Sequence, residues 1–487
     1  MKSIVVKSAL LTVLLTGCAI KPEPLSYSDH LQFGQDRMER VVAEQEPVTK
    51  AIDLYEAMAR AIKYNMDARV EMMEEALRLR ELNLAHHDLL PRLVSSAGYA
   101  GRTEVDGSSS STRDDEIYTA DLKLSWNVLD FGLSYVRAQQ SADKVLIQEE
   151  TKRKIVNLTI QDVRTAYWRA VSYDRLVSRM RALESRVIRA LGDTRALAES
   201  GNTSPIAALS YERELIQIQR ELELLEGQLH MAKTQLAALM NVRPETKFAL
   251  VIPAKRPRNL NISGSYQELY TTALQNRPEM REIAYQLRVN DRELNAQLLS
   301  LLPGLQLYAG VNYDSNDYIA NSSWLDWGSK ASWNLLKVFS LPATKAKVDA
   351  QGTLLDARSL SVAMAVMTQV HVSRARYMHV NKEFKTASAL ASVQAKLLAQ
   401  VKAETAAQRT SEQILIREEM NALVTDSKLD LVYADLQNSY ANIYASLGLD
   451  PFPAGMSSDG TVAEVAGKLR QMWTERGANP ALALTQN

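Results

Sequence analysis

The sequence is made of two halves that repeat the same motifs in the same order, and this duplication limits the possible folds more than any other feature. Leu89-Leu90-Pro91 recurs as Leu301-Leu302-Pro303, a shift of 212 residues (303 − 91 = 212). Ser125-Trp126-Asn127 recurs as Ser332-Trp333-Asn334, a shift of 207 (332 − 125 = 207). The difference of five residues falls between the two motifs, where a loop tolerates it. The sequence therefore predicts two structural repeats.

Each half has the same predicted internal order. A helical segment ends at Leu-Leu-Pro, where proline stops the helix. Two alternating stretches, a long helical segment, a tight turn and a final helix follow. The turns contain Thr203-Ser204 and Thr410-Ser411, again 207 apart (410 − 203 = 207). The segment from Gly132 to Ser200 has no proline, so it predicts one continuous helix about 100 Å long.

The long helices carry apolar residues at heptad spacing, which predicts coiled-coil packing. Helices alone leave a soluble coiled coil open as an alternative. The residues of the two corresponding seams are Leu215, Ile218, Leu222, Leu225, Leu229, Ala232, Leu236 and Leu239, then Ala422, Thr425, Leu429, Val432, Leu436, Ser439, Ile443 and Ser446. Before the first turn, a further seam contains Leu176, Met180, Leu183, Val187, Ala190, Thr194 and Leu197.

The alternating stretches predict strands with one apolar and one polar face. The clearest runs from Tyr118 to Val128, and a second from Leu305 to Tyr313 is interrupted by Tyr308 on its polar face. Weaker stretches lie at Leu93–Arg102 and Trp327–Leu335, and each stretch has roughly the length of a tilted membrane strand. Aromatic residues cluster here, which is typical of membrane-boundary girdles. A half-buried sheet on a soluble core is the open alternative. The clustered aromatic residues are Tyr99, Tyr118, Trp126, Tyr308, Tyr313, Tyr318, Trp324, Trp327 and Trp333.

The N-terminus predicts export and lipid attachment. Lys2 and Lys7 precede a short apolar run, which ends in Leu15-Thr16-Gly17-Cys18. This quartet resembles the bacterial lipobox, in which the signal is removed before a cysteine that becomes lipidated. The alternative is an ordinary secretion signal with a chance cysteine. No later apolar run reaches the length of a membrane-spanning helix, so any membrane-embedded part must be made of strands.

Composition excludes several functions. The 57 basic and 57 acidic residues balance, so the basic surface of a nucleic-acid-binding protein is absent. One cysteine cannot form a disulfide framework or a cysteine-based zinc cluster within the chain. The sequence lacks a glycine-rich phosphate loop and a His-Glu-x-x-His motif. We therefore expect no enzyme activity, no metal site and no cofactor other than a covalent lipid on Cys18.

The lipobox, the paired Leu-Leu-Pro and Ser-Trp-Asn motifs and the heptad hairpins together resemble the TolC-type outer membrane factors. The resemblance covers about Ala51 to Leu449. It implies a mainly α-helical fold with a small transmembrane β part, in which long coiled-coil helices form an α-barrel. Four strands per chain would contribute to a trimeric twelve-stranded β-barrel. A barrel shared between chains also follows from physics, because single-chain barrels start at about eight strands.

The resemblance also implies a function and partners. The protein would be a homotrimeric channel in the outer membrane, lipid-anchored, with a periplasmic extension. It would serve as the passive exit duct of a tripartite efflux or type I secretion system, together with a periplasmic adaptor and an inner-membrane pump. The alternative is a lipid-anchored periplasmic coiled-coil scaffold or adhesin without a pore. The cargo is not specified by the sequence.

The helix turns are the expected gate and adaptor-docking site. The acidic residues that often narrow this region in the family are replaced three positions past the turn serines by Ala207 and Ile414. Our hypothesis is that Arg409, paired with Glu404 or Glu412, supports a closed tip, and the alternative is solvated surface charge. The candidate tip residues are Gly201, Ser204, Glu404, Arg409 and Glu412.

These interpretations divide the chain into six predicted segments. They are a signal peptide (1–17), a lipidated N-terminal segment (18–50), the first repeat (51–241), a linker (242–262), the second repeat (263–449) and a C-terminal tail (450–487).

Overall fold

A computed structural model describes residues 23–101, 114–200, 204–253, 264–449 and 460–478. The predicted signal peptide, Cys18, Gly201 and most of the loop before Asp115 lie outside the described residues. The chain divides into two compact units, residues 1–47 and 48–487. In the N-terminal unit, the described residues contain helix α1 (Tyr27–Arg40), which begins at a capping box formed by Ser26 and Asp29.

The larger unit confirms the predicted duplication. The first repeat contains α2 (Leu54–Tyr64), α3 (Met66–His87), β1 (Arg92–Gly101), β2 (Glu116–Asn127), α4 (Val128–Glu199) and α5 (Pro205–Leu239). The second repeat contains α6 (Tyr266–Asn276), α7 (Pro278–Leu299), β3 (Gly304–Asp314), β4 (Ser323–Ser332), α8 (Leu341–Ala406) and α9 (Glu412–Ser446). A 3₁₀ turn (Leu335–Ser340) precedes α8, and helix α10 (Val462–Ala478) lies in the predicted tail.

The two long helices are continuous. Helix α4 has 72 residues and helix α8 has 66, so they are about 108 Å and 99 Å long. Pro342 lies in the first turn of α8, where the missing N–H of proline costs no hydrogen bond. Within the described residues, no helix combines the length and the apolar character needed to cross a membrane.

The four strands form one antiparallel sheet in the order β1-β2-β3-β4. The register pairs Ala97 with Ala120, Lys123 with Gly310, and Gly310 with Asp326. The predicted fourth strand was shifted: it begins at Ser323 instead of Trp327 and ends before Trp333. Leu335 and Leu336 extend the apolar pattern in sequence, but they lie in the 3₁₀ turn.

The core of the larger unit contains buried residues from both repeats, and the linker and the tail also contribute to it. Tyr167 is almost fully buried, and its Oη donates a hydrogen bond to the Val251 carbonyl at 3.0 Å. The linker contributes one parallel bridge, between Leu250 and Ile52. Helix α10 adds Trp473, whose ring lies 4.4 Å from the guanidinium of Arg164. Burial lowers the pKa of Arg164 to about 10, so it stays charged at neutral pH.

The predicted heptad seams are confirmed as buried packing. Leu215, Leu222 and Leu229 on α5 have at most 3% of their surface exposed, and they pack against α4. Leu429, Leu436 and Ile443 are buried on α9. The prediction was wrong for Leu197, which is 52% exposed near the turn.

Helices α5 and α9 end in the same way at equivalent positions. Asn241 has a φ of 56° and Gly448 a φ of 71°, and 448 − 241 = 207. The next N–H donates five residues back at both ends, from Val242 to Ala237 (2.8 Å) and from Leu449 to Tyr444 (3.0 Å), which defines a Schellman motif. Gly448 has a second constraint, because a Cβ there would lie 2.6 Å from the backbone nitrogen of Arg277.

We predict that Gly448→Ala and Gly448→Asn both destabilise the protein by about 2 kcal/mol or more. Asparagine tolerates a positive φ, so its failure would identify the steric contact with Arg277 as the cause. Urea unfolding in detergent measures the effect. Gly467→Ala is the control: nothing lies within 4 Å of its Cβ position, and we expect a gain of up to about 1 kcal/mol. A tolerated Gly448→Asn would contradict the steric argument.

Candidate functional site

The sheet exposes its apolar face. On β4, Leu325 and Trp327 are 67% and 79% exposed, while Asp326 between them is partly covered. A soluble half-buried sheet has the opposite arrangement, with the apolar face covered. The exposed apolar side chains that share this face are Leu93, Tyr99, Tyr118, Leu122, Leu124, Trp126, Leu307, Val311, Tyr313, Leu325 and Trp327.

Polar groups pair with each other on the opposite face. Ser96 Oγ donates to Asp121 Oδ2 at 3.2 Å, and Asn312 Nδ2 donates to Asp326 Oδ1 at 2.7 Å. Trp324 lies on this polar face, because it pairs with Asn312 in the register. Of the clustered aromatic residues, Trp324 therefore does not share the apolar face.

The two edge strands are open within the chain. Among the strands that the structure describes, β1 and β4 each pair on one side only. In lipid, an unpaired backbone N–H or C=O costs several kcal/mol, because no water is present to bond it. A membrane-embedded sheet of this kind must therefore pair its edges with other chains.

The helices of the two hairpins also form an open row. Helix α4 packs against α5 and α9, and α9 packs against α4 and α8, which gives the row α5-α4-α9-α8. The outer helices carry exposed apolar seams. On α5, Ile206, Leu209 and Ile216 are 79%, 65% and 47% exposed, and on α8, Leu390 and Val393 are 56% and 63% exposed. Exposed apolar seams of this kind indicate protein contacts.

The middle interface of the row combines a buried apolar cluster, which includes Ile416 and Met420 of α9, with ion pairs. Arg186 on α4 pairs with Glu419 on α9 at 2.5 Å, and Arg179 pairs with Asp426 at 2.5 Å. Arg175 forms a further pair with Asp430, which is almost completely buried. The α4–α9 interface therefore contains a ladder of three arginine–carboxylate pairs.

The duplication extends to single ion pairs. Arg195 on α4 pairs with Glu212 on α5 at 2.7 Å, and Lys402 on α8 pairs with Glu419 on α9 at 3.1 Å. Both partners are shifted by 207 residues (402 − 195 = 207; 419 − 212 = 207). The two hairpins are thus equivalent down to individual contacts.

The two repeated motifs meet where helix joins sheet. In the second repeat, the indole N–H of Trp333 donates to the carbonyl of Leu301 at 2.9 Å. In the first repeat, Leu89, Leu90 and Trp126 line one depression at the corresponding place. This contact gives a physical reason for finding Leu-Leu-Pro and Ser-Trp-Asn in both halves.

The described tip residues do not form the predicted ion pairs. Arg409 meets Glu404 only through the backbone, where its N–H donates to the Glu404 carbonyl at 2.8 Å. The Arg409 side chain forms no ion pair within the described residues. Glu412 lies 3.5 Å from Arg186 instead. The cause is the helix end, because Gln408 at φ 55° closes a Schellman turn that includes Arg409.

The two helices that follow the turns begin differently. Ser204 occupies the N-cap of α5 but makes no side-chain capping bond. Ser411 caps α9 by accepting from the Ile414 N–H at 3.4 Å. The Gln413 amide, near the start of α9, donates to Glu214 at 3.0 Å.

Glu214 is the tip residue that the sequence analysis missed. Its carboxylate accepts from Arg417 Nε at 2.5 Å and so links α5 to α9. The hydrogen bond from Arg417 holds the pKa of Glu214 below its usual range. The position of these residues in the sequence could have predicted the pair. Glu214 and Arg417 flank the buried residues Leu215 and Ile416, where coiled coils place interhelical ion pairs. We call Glu214, Gln413 and Arg417 the tip tether.

Several known proteins resemble this one in sequence or in fold. A sequence model of the family described as outer membrane efflux protein matches residues 60–242. SilC, a probable outer membrane lipoprotein of Salmonella typhimurium, is 22% identical over 297 residues, which cover 59% of this chain and 60% of SilC. SrpC, the solvent efflux pump outer membrane protein of Pseudomonas putida, is 22% identical over 350 residues, which cover 69% of this chain and 73% of SrpC.

A solved structure has the same fold. The CmeC outer membrane channel of Campylobacter jejuni superposes with a TM-score of 0.68 at 13% identity, over 85% of this chain and 89% of CmeC. The duplicated helices and the sheet with its exposed apolar face define an outer membrane channel fold. The chain thus resembles the TolC-type outer membrane factors: residues 60–242 match the outer membrane efflux protein family, and CmeC shares the fold.

We predict that Arg417→Ala loosens the tip, because it removes the tether between α5 and α9. An exposed pair contributes under about 1 kcal/mol, so the ratio of open to closed tips should rise by up to about fivefold per chain. Single-channel recording in planar bilayers measures this ratio. Arg409→Ala is the matched control, since Arg409 forms no ion pair among the described residues. Equal effects of the two variants would refute the tether.

The tether should also respond to acid. The pKa of Glu214 lies below its ordinary value of 4.5, so the tether is intact at neutral pH. It is lost only as the pH falls through the lowered pKa, so the open ratio should rise only at pH values below 4.5. In Glu214→Gln, this acid-dependent step should disappear. Recordings between pH 7 and pH 3 test the sign, and a step near neutral pH would contradict it.

Proposed function

We propose that this protein is a homotrimeric outer membrane channel that serves as the exit duct of a tripartite efflux or type I secretion system. It is anchored by a lipid on Cys18 and extends into the periplasm through its long helices. The single observation that carries this proposal is the sheet, which exposes its apolar side chains and turns its polar ones to the other face. This is the arrangement of a barrel with lipid outside and water inside.

Three copies would close both open rows. The β4 strand of one copy would pair with β1 of the next, so that three sheets of four strands give twelve. The α8 helix of one copy would pack on α5 of the next and cover both exposed seams. The duplication supports this contact, because a shift of 207 converts the α4–α9 interface into an α8–α5 interface. The equivalent of Arg186 is then Val393, and the equivalents of Glu412 and Glu419 are Pro205 and Glu212 (393 − 186, 412 − 205 and 419 − 212 each equal 207).

The protein acts as a passive duct and not as an enzyme. Partners therefore supply the energy and the selection of cargo: an inner-membrane pump and a periplasmic adaptor that docks at the helix turns. SrpC, which resembles this chain, is described as the outer membrane protein of a solvent efflux pump. The match of residues 60–242 to the outer membrane efflux protein family supports the same type of partners here.

A lipid-anchored periplasmic scaffold or adhesin is the competing function. It would account for the apolar seams of α5 and α8, which a soluble trimeric coiled coil also needs. It gives no reason for a sheet with its apolar face exposed. The sheet therefore favours the duct.

Conductance distinguishes the two functions. Purified protein incorporated into planar bilayers should give discrete single-channel currents. The Arg417→Ala variant should increase the ratio of open to closed channels. The Cys18→Ala variant should keep this conductance, because lipidation anchors the protein but does not form the pore. A protein that remains silent in both forms, and dissolves without detergent once Cys18 is replaced, would establish the scaffold.

Cross-linking tests the closed ring. Val393 faces the segment between Pro205 and Glu212 in the proposed interface, so Leu209→Cys with Val393→Cys should give a disulfide-linked trimer under oxidising conditions. Each single variant should remain monomeric in denaturing gels. Met231→Cys with Val393→Cys is the control, because Met231 lies about 33 Å farther along α5. Cross-linked species of more than three chains would indicate an open filament instead of a ring.

A further inference from the structure

The polar face of the sheet carries charges in a fixed order. We call the end of the sheet next to the helices the base, and the end next to the loops the mouth. On β2, Lys123 lies nearer the base and Asp121 nearer the mouth. On β4, Lys330 lies nearer the base and Asp326 nearer the mouth. All four residues share the polar face, because the register aligns them with Gln306, Gly310 and Asn312.

The two remaining charged residues of this face continue the order. Arg92 is the first residue of β1 and pairs with Ser125 at the base. Asp314 is the last residue of β3 and pairs with Thr119 at the mouth. Within the described strands, every cation of the polar face therefore lies on the base side and every carboxylate on the mouth side of its strand. Across the register, Lys330 and Arg92 lie in the rows nearest the base, Lys123 and Asp326 share the row of Gly310, and Asp121 and Asp314 lie in the rows nearest the mouth.

Contacts hold several of these charges in place. Lys123 Nζ lies 4.4 Å from the ring centre of Tyr308, a cation–π contact. The Tyr308 ring itself covers Gly328, where a Cβ would come within 2.8 Å of Tyr308 Oη. Asp121 and Asp326 are held by Ser96 and Asn312. Tyr308, which interrupts the polar pattern in the sequence, therefore positions a lysine within the polar face.

We propose that the lumen of the β-barrel is bipolar, with a cationic base and an anionic mouth, and that this order makes the ion current rectify. The inference rests on the proposed function, since it needs three copies to surround a water-filled pore. In the trimer, each charged position becomes a ring of three like charges. Rings of charged side chains set the ionic selectivity of a pore, because they concentrate counterions locally.

The direction of rectification follows from the order of the rings. The anionic mouth accumulates cations, and the cationic base accumulates anions. When the outer side is positive, cations enter from the mouth and anions enter from the base, so both accumulate within the pore and the conductance rises. With the opposite polarity the pore is depleted of both ions. The current is therefore larger when the outer side is positive.

Planar bilayers with protein added from one side test this directly. The long polar helices cannot cross the bilayer, so the sheet end inserts first and the orientation is known. In 0.1 M KCl we expect the currents at +100 mV and −100 mV to differ by about twofold. In 1 M KCl the ratio should approach one, because the Debye length falls from about 10 Å to about 3 Å.

A variant that exchanges the charges isolates their order from their number. Asp121→Lys with Lys123→Asp, combined with Asp326→Lys and Lys330→Asp, keeps the net charge and should reverse the direction of rectification. If this variant does not assemble, Lys123→Gln with Lys330→Gln should move the ratio towards one. Gln306→Ala, next to Lys330 and without a charge change, is the control and should leave the ratio as it is. The tip is the same in every variant, so it cannot produce these differences.

The outcomes separate the two proposals. Channels that carry equal currents at both polarities in 0.1 M KCl would refute the bipolar lumen and leave the duct intact. Rectification that persists unchanged in both the exchanged and the neutralised variants would refute it as well. A complete absence of channel currents would refute the duct itself, and the bipolar lumen with it.

Discussion

The backbone of the edge strands sets the requirement that the rest of the structure meets. A sheet with its apolar side chains outward belongs in lipid, and lipid offers no partner for the free N–H and C=O groups of β1 and β4. Four strands cannot close on themselves, so the missing hydrogen bonds must come from further copies of the same chain. The helices meet the same requirement by a different force, because α5 and α8 leave apolar seams exposed at the two ends of the helical row. Among the described residues, sheet and helices are thus both incomplete in one chain, and in the proposed trimer the same neighbours would complete both.

Much of this fold could be predicted from periodicity, because its elements are long and regular. The period of seven in Leu215, Leu222, Leu229 and Leu236 corresponds to a buried seam, and the period of two in Tyr118, Leu122 and Trp126 corresponds to one exposed face. Prediction failed where tertiary contacts override the local pattern. The start of β4 is set by its pairing with β3, and the apolar Leu335 and Leu336 that follow lie in a turn. The side of Trp324 likewise depends on register, which sequence alone does not specify.

The ion pairs of the tip were also not predictable from the local sequence. Arg409, Glu404 and Glu412 are close in sequence, and proximity suggested that they pair. The observed tether joins Glu214 to Arg417, which are 203 residues apart, and no local rule connects them. A Schellman turn also removes Arg409 from the expected pairing, and it is formed by Gln408 in a conformation for which glycine is the usual signal. Such polar contacts become visible only when the relative position of two hairpins is known.

The duplication finally explains why equivalent interfaces have different chemistry. The α4–α9 interface lies within one chain, where covalent connection makes the local concentration of the partner helix high, and here it uses the ladder of Arg175, Arg179 and Arg186 with their carboxylates. In the proposed trimer, the corresponding α8–α5 contact forms between separate molecules, and association has to offset lost translational and rotational freedom. Apolar residues such as Val393, Leu209 and Ile206 provide that contribution, because burying exposed apolar surface favours association while exposed ion pairs add little. After duplication, the two contacts were therefore subject to different physical demands: ion pairs accompany a buried apolar cluster where the chain connects the helices, whereas the equivalent positions on α8 and α5 include exposed apolar residues.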